Sequence, residues 1–115
     1  MSVTHRIRLR AAWEVTADGT AWMRSFGRPT GVGVGDRLWL VIERPAACKA
    51  LLNGRPLPPV PAGAKAWRHD VTADLRERNE LRLQFVVPAG RVGDGGRVPL
   101  PESLGEVLVE IEAGG

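Results

Sequence analysis

The chain has 115 residues, a length that fits one ordinary domain, expected to run over residues 1–115. Hydrophobic residues make up 43% and charged residues 25%, which excludes a disordered chain. Sixteen basic against thirteen acidic residues leave a net charge of +3, with nine basic and four acidic residues in 1–55 and seven and nine in 56–115.

That asymmetry would suit a basic patch. The arginines, however, are spread along strand-like segments, whereas a phosphate footprint groups its cations on one face. No nucleic-acid partner is expected. No apolar run approaches the roughly 20 residues of a membrane helix. The opening MSVTHRIRLR is not followed by the apolar stretch of a secretory signal. The expectation is therefore a cytoplasmic protein with no membrane partner. A single cysteine, Cys48, excludes a disulfide framework within the chain.

Period-2 alternation dominates the chain. Over His5–Val15, Ile7, Leu9, Ala11, Trp13 and Val15 share one parity, and Arg6, Arg8, Arg10 and Glu14 share the other. Side chains alternate between the faces of a strand, so this reads as a half-buried strand with an arginine row on its wet side. Ala17-Asp18-Gly19 supplies turn chemistry. A second strand covers Thr20–Arg28, and Thr30–Asp36, with three glycines, reads as a loop. Leu38–Ile42 is apolar throughout, which suits a central strand covered on both faces.

Cys48–Leu52 is the next strand and ends at Asn53-Gly54, the strongest short hairpin signal, because a type I′ turn needs positive φ at both positions. The return arm is short, since Pro56, Pro58, Pro59 and Pro61 lack the N–H a ladder needs. Lys65–Val71 and Glu80–Val87 alternate again, with a helical turn expected over Thr72–Arg78 between them. A Gly/Pro loop covers Pro88–Pro101, and Glu106–Glu112 closes the chain as a strand with Val107, Val109 and Ile111 facing in. Seven or eight short strands with almost no helix predict an all-β antiparallel β-sandwich or barrel. Arg6, Arg8 and Arg10 are expected to face Glu106, Glu110 and Glu112 across paired terminal strands, which makes the arginine row structural.

Catalytic and metal patterns are missing. His5 and His69 lie at no ligand spacing from each other or from Cys48, so no metal and no cofactor is expected. His69 and Asp70 are neighbours on one strand and point to opposite faces, which argues against a triad. Gly31-x-Gly33-x-Gly35 is followed by a strand instead of a helix N-terminus, so it reads as a connection and not a phosphate cradle. Trp13 and Trp67 fall on core parities. Trp39 opposes the aliphatic parity of its strand, and Arg24 shares a parity with Trp22 and Phe26. An indole stacks on a sugar ring and a guanidinium supplies several donors, so Trp22, Arg24 and Trp39 are the candidate ligand-binding residues.

Several patterns line up in order with one family. Ala21-Trp22-Met23-Arg24-Ser25-Phe26 with Arg28-Pro29 resembles the "W-Y-R-R-x-F-x-x-P" strand of the jelly-roll sugar-binding domain of family 2 glycoside hydrolases. Ala50-x-Leu52-Asn53-Gly54-x-x-Leu57 is similar to that family's "A-x-V-x-L-N-G-x-x-L". Trp67-x-His69-Asp70-Val71-Thr72, then Leu75 and Asn79-Glu80-Leu81, resembles "F-x-F-D-V-T-x-x-L-x-x-x-x-N-x-L". Leu104-Gly105-Glu106-Val107-x-Val109-x-Ile111 resembles the closing strand. The resemblance implies a galactose-binding-domain-like jelly roll of about eight strands. In multidomain relatives the catalytic acid and nucleophile belong to a separate barrel domain. Two departures stand out: His69 replaces an aromatic, and Gly93–Ser103 lacks the tryptophan expected before the last strand. The expected function is that of a non-catalytic module, not an enzyme, with weak carbohydrate binding. A protein-interaction module on the same fold is the alternative, and oligomeric state is open.

Overall fold

The structure, a computed structural model, describes residues 3–85 and 98–114. Its strands are β1 (Val3–Arg8), β2 (Glu14–Val15), β3 (Ala21–Gly27), β4 (Arg37–Glu43), β5 (Cys48–Leu52), β6 (Arg55–Pro56), β7 (Ala66–Asp70), β8 (Arg78–Phe85) and β9 (Glu106–Glu112). They form an all-β sandwich of two antiparallel sheets, ordered β1-β9-β4-β7 and β2-β3-β8-β5-β6. The helical content among the described residues is one 3-10 turn, Glu102–Leu104.

Alternation places the core. Leu38, Leu40 and Ile42 of β4 and Val107, Val109 and Ile111 of β9 face Leu81, Leu83 and Phe85 of β8 and Ala50 and Leu52 of β5. Burying each large side chain stabilises by about 1.5–3 kcal/mol, and a sandwich needs both sheets to supply them. Trp13 is fully buried and Trp67 nearly so, as their parities predict. The β4 run is covered on both faces: Val41 on the outer side is buried, as is its neighbour Leu108.

Two expected elements differ. The strand expected over His5–Val15 is two pieces in different sheets, β1 beside β9 and β2 beside β3. Between them Ala12 adopts φ 67°, and Trp13 bridges Val98 while its Nε1 donates to the Leu9 carbonyl at 2.7 Å. Burial of Leu9 and Trp13 thus bends the chain from one layer to the other. Alternation alone cannot signal that bend. The turn after β7 is not helical. Asp70 Oδ1 accepts from the Thr72 N–H at 2.9 Å and its hydroxyl at 2.6 Å, so Thr72–Asp74 forms a hydrogen-bonded turn. The ends of the expected Glu80–Val87 strand and Pro88–Pro101 loop lie in part outside the described residues.

Asn53-Gly54 does make the β5–β6 turn, with φ 53° and 80°. Gly105, at φ 111°, sits where a Cβ would come within 2.9 Å of the Glu43 carbonyl oxygen, so only glycine admits β9 beside β4. The arginine row meets the glutamates. Arg6 Nε donates to Glu110 at 3.0 Å, Arg8 pairs with Glu106, and Arg10 Nε lies 3.4 Å from Glu106. Glu106 is held below the usual carboxylate range, first by the Arg8 hydrogen bond.

Candidate functional site

The residues singled out from the sequence do not converge. Trp22 is 6% exposed and packs in the core, its Nε1 buried without a partner among the described residues. Arg24 lies on the same parity of β3, but its Nε donates to the Ala11 carbonyl at 2.6 Å and its Nη1 to the Ser25 carbonyl at 3.1 Å. Burial lowers the pKa of that guanidinium from its ordinary value. Trp39 is half-buried on the outer face of the other sheet, where the Arg68 guanidinium lies 4.8 Å from its ring centroid. The parities were right within each strand. They do not tell which sheet a strand joins, and β3 and β4 join different ones.

Clefts open at several places on the surface of the described residues. The one lined by Arg10, Arg44, Glu102 and Glu106 has a volume of about 300 Å³, and its charges neutralise one another, with Arg10 and Arg44 both on Glu106. In the cleft beside Arg24, about 240 Å³, that guanidinium is already bonded to backbone carbonyls, while the Arg78 side chain lines it without a hydrogen-bond or ion-pair partner among the described residues. The third, about 410 Å³, opens where the β5–β6 hairpin approaches the turn after β7. That volume falls within the range of small-molecule sites.

This third cleft has a rigid frame. Asn79, 4% exposed at the start of β8, accepts from the Arg76 N–H at 2.8 Å and donates to the Arg76 carbonyl at 2.8 Å. Asn53 Nδ2 donates to Asn79 Oδ1 at 3.1 Å, and Asn53 Oδ1 accepts from the Glu80 N–H at 2.9 Å. The two rims are therefore tied by one amide pair. Arg28 Nη1 fixes the Leu75 carbonyl at 3.2 Å, and Pro56 and Pro58 stiffen the opposite rim.

Leu52 and Leu75 supply a buried apolar floor, and Leu57 is half-buried beside them. His69, on the inner parity of β7, stacks on Trp67 with ring centroids 6.0 Å apart and planes at 18°. Arg55, Arg76 and Asp74 complete the lining, and their side chains have no hydrogen-bond or ion-pair partner among the described residues. An apolar floor beside unpaired donors and an acceptor suits a polyhydroxylated ring. The sequence carried both rims as turn signals. Nothing in it said that they meet.

His69 and Asp70 do point to opposite faces of β7: the imidazole lines the cleft, and the carboxylate binds Arg37 at 2.8 Å on the outside. Among the described residues no group of three or more His, Cys, Asp or Glu side chains could hold a metal ion. No helix among them is long and apolar enough to cross a membrane.

Fold and cleft together define a β-sandwich with a small-molecule-sized opening between its layers. No protein-family model matches the sequence. No curated protein matches it. The structure is similar to part of an FMN-binding β-glucuronidase from Facaelibacterium prausnitzii L2-6, with a TM-score of 0.67 and 17% identity over 95% of this chain and 23% of that one. It is similar to a Bifidobacterium dentium β-glucuronidase complexed with coumarin-3-O-glucuronide, with a TM-score of 0.64 and 16% identity over 97% of this chain and 31% of that one. An uncultured Clostridium sp. β-glucuronidase gives 0.65 and 14% over 97% and 30%. The chain thus spans less than a third of the length of each of these proteins. At such identities the likeness establishes a shared fold.

Proposed function

We propose that this chain is a non-catalytic β-sandwich binding module, of the kind that serves family 2 glycoside hydrolases as a jelly-roll sugar-binding domain, and that it holds a carbohydrate weakly. The observation that carries the reading is the 410 Å³ cleft, with its leucine floor, tied rims and unpaired polar lining. The fold likeness to one part of several β-glucuronidases supports it, as does the order of motifs in the sequence. The non-catalytic part of the reading follows from the family resemblance, in which the catalytic groups belong to a separate barrel domain, and Asp70, the sequence neighbour of His69, faces away from the cleft.

Trp39 is the second place for a sugar to stack, but a ring there would first displace Arg68, whose cation–π contact is worth about 0.5–1 kcal/mol. The cleft needs no displacement. An open site excludes little water, so the dissociation constant is expected on the order of 0.1–1 mM.

Titration of neutral and acidic sugars against tryptophan fluorescence tests the reading, because Trp67 stacks on the cleft residue His69. A saturable change that survives Trp39→Ala supports the cleft. Loss of the change in Trp39→Ala moves the site to the outer face. No change with any sugar at high millimolar concentration replaces carbohydrate binding by a protein-interaction role.

A further inference from the structure

We infer that the cleft selects a sugar bearing a carboxylate over its neutral counterpart. This rests on the carbohydrate reading and adds the chemical class of the ligand. The lining holds two guanidiniums, Arg55 and Arg76, one imidazole, His69, and one carboxylate, Asp74. Six other arginines of the molecule are matched internally by carboxylates. Arg6 and Arg68 share Glu110; Arg8, Arg10 and Arg44 share Glu106; and Arg37 takes Asp70. Arg55 and Arg76 have no carboxylate partner among the described residues.

The arrangement fits a ligand with two kinds of group. A guanidinium gives a ligand carboxylate paired, charge-assisted donors, stronger than those it gives a hydroxyl. Asp74 can only accept, so it repels a bare anion and instead takes sugar hydroxyl protons. A simple anion finds two cations and one repelling carboxylate. A hydroxylated acid satisfies all three.

The frame keeps this pattern in place. The backbone of Arg76 is clamped on both its N–H and its carbonyl by buried Asn79, and Arg55 follows the Asn53-Gly54 turn, which the same asparagine anchors. Both arginines leave rigid backbone, so binding has mainly side-chain freedom to remove.

The experiment compares glucuronate with glucose, the same ring with and without a carboxylate, and with acetate as the bare anion. Each is titrated into the full chain and into Arg55→Ala, Arg76→Ala and Asp74→Asn, reading tryptophan fluorescence and the NMR shifts of His69 and the Asn53 amide. Melting curves confirm folding, which the exposed positions of Arg55 and Arg76 favour. Glucuronate is expected to bind about fivefold tighter than glucose, and each arginine variant to remove most of that difference. Added salt weakens glucuronate and leaves glucose unchanged. Equal affinity for both sugars, or a preference untouched by the arginine variants, overturns the inference while leaving a carbohydrate module. Acetate binding as tightly as glucuronate, and tighter still in Asp74→Asn, overturns it in favour of a plain anion site. No binding of any sugar overturns the carbohydrate reading as well.

Discussion

Asn53 and Asn79 clasp each other at one end of the paired strands β5 and β8, the Nδ2 of the first donating to the Oδ1 of the second at 3.1 Å. Beside the two bonds between Asn53 and the Glu80 backbone, it joins a hairpin turn to the start of β8, and through Asn79 it reaches the turn that carries Arg76. Asn79 makes three further contacts, with the Arg76 N–H, the Arg76 carbonyl and, at 3.4 Å, the Phe26 carbonyl. A group this buried and this fully used is costly to remove. Each orphaned partner costs about 1–3 kcal/mol where water cannot reach it. Asn79→Ala is therefore expected to destabilise by about 2–4 kcal/mol in urea denaturation. Any sugar response should weaken as well, because the rims lose their tie. Stability within about 0.5 kcal/mol of the parent would show that water replaces the amide without cost.

The turn itself makes a separate prediction. Gly54 sits at φ 80°, and a Cβ built there meets nothing within 4 Å. The cost of a side chain is thus conformational, not steric. Gly54→Val should destabilise by about 1–3 kcal/mol, because a β-branched residue resists the left-handed region. Gly54→Asn should recover much of that loss, since asparagine tolerates the conformation that Asn53 already adopts. Equal melting of the glycine and valine forms would place the turn elsewhere.

These two residues also mark what the sequence could reveal. Asn53-Gly54 announces its turn by local chemistry, and the β4 and β9 strands announce their faces by alternation, because each signal is settled within a few residues. The facing of Arg6, Arg8 and Arg10 by Glu106 and Glu110 was legible for the same reason, given that the terminal strands pair. Sheet membership is a different matter. Trp39 sits on the outer parity of β4 and Arg24 on the parity of Trp22 in β3, yet the two strands lie in opposite layers. No local pattern encodes which layer a strand joins. The cleft was hidden for a related reason: Arg55 and Arg76 are 21 positions apart and come to line one cleft, its rims tied by the Asn53–Asn79 bond, which neither segment signals alone.

Acid sensitivity follows from the carboxylates. Glu106 is held low first by the Arg8 hydrogen bond, and Asp70 first by the Thr72 hydroxyl with help from Arg37. Asp18 is lowered to about 2, first by the Thr16 hydroxyl and then by Thr20. In each case the folded pKa lies below the unfolded value of roughly 4. The unfolded chain then binds more protons in that range, so stability rises with pH there. Their contribution is complete above about pH 5 and is lost as pH falls through the folded values, toward about pH 2 for Asp18. Urea midpoints measured from pH 7 down to pH 2 should fall mainly below about pH 4, and Glu106→Gln and Asp70→Asn should each flatten that fall. A midpoint that declines equally in all three proteins would show that these pairs do not carry the acid response.

The tryptophans separate a paired from an unpaired buried donor. Trp13 and Trp22 both lie in the core, but Trp13 Nε1 donates to the Leu9 carbonyl at 2.7 Å, whereas Trp22 Nε1 has no partner among the described residues. Replacing either indole by phenylalanine removes comparable volume. At Trp13 the substitution also leaves the Leu9 carbonyl, at the bend between layers, without its donor. At Trp22 it deletes a donor that already lacks an acceptor, which offsets part of the lost packing. Trp13→Phe is expected to be the more destabilising of the two, by about 1–2 kcal/mol in urea denaturation. Leu9 and Trp13 anchor the passage from β1 to β2, so the same variant should loosen amide protection over residues 9–15. An equal or greater loss in Trp22→Phe would mean that its indole N–H is bonded in solution, and hydrogen exchange of the two indole protons would show which residue has the partner.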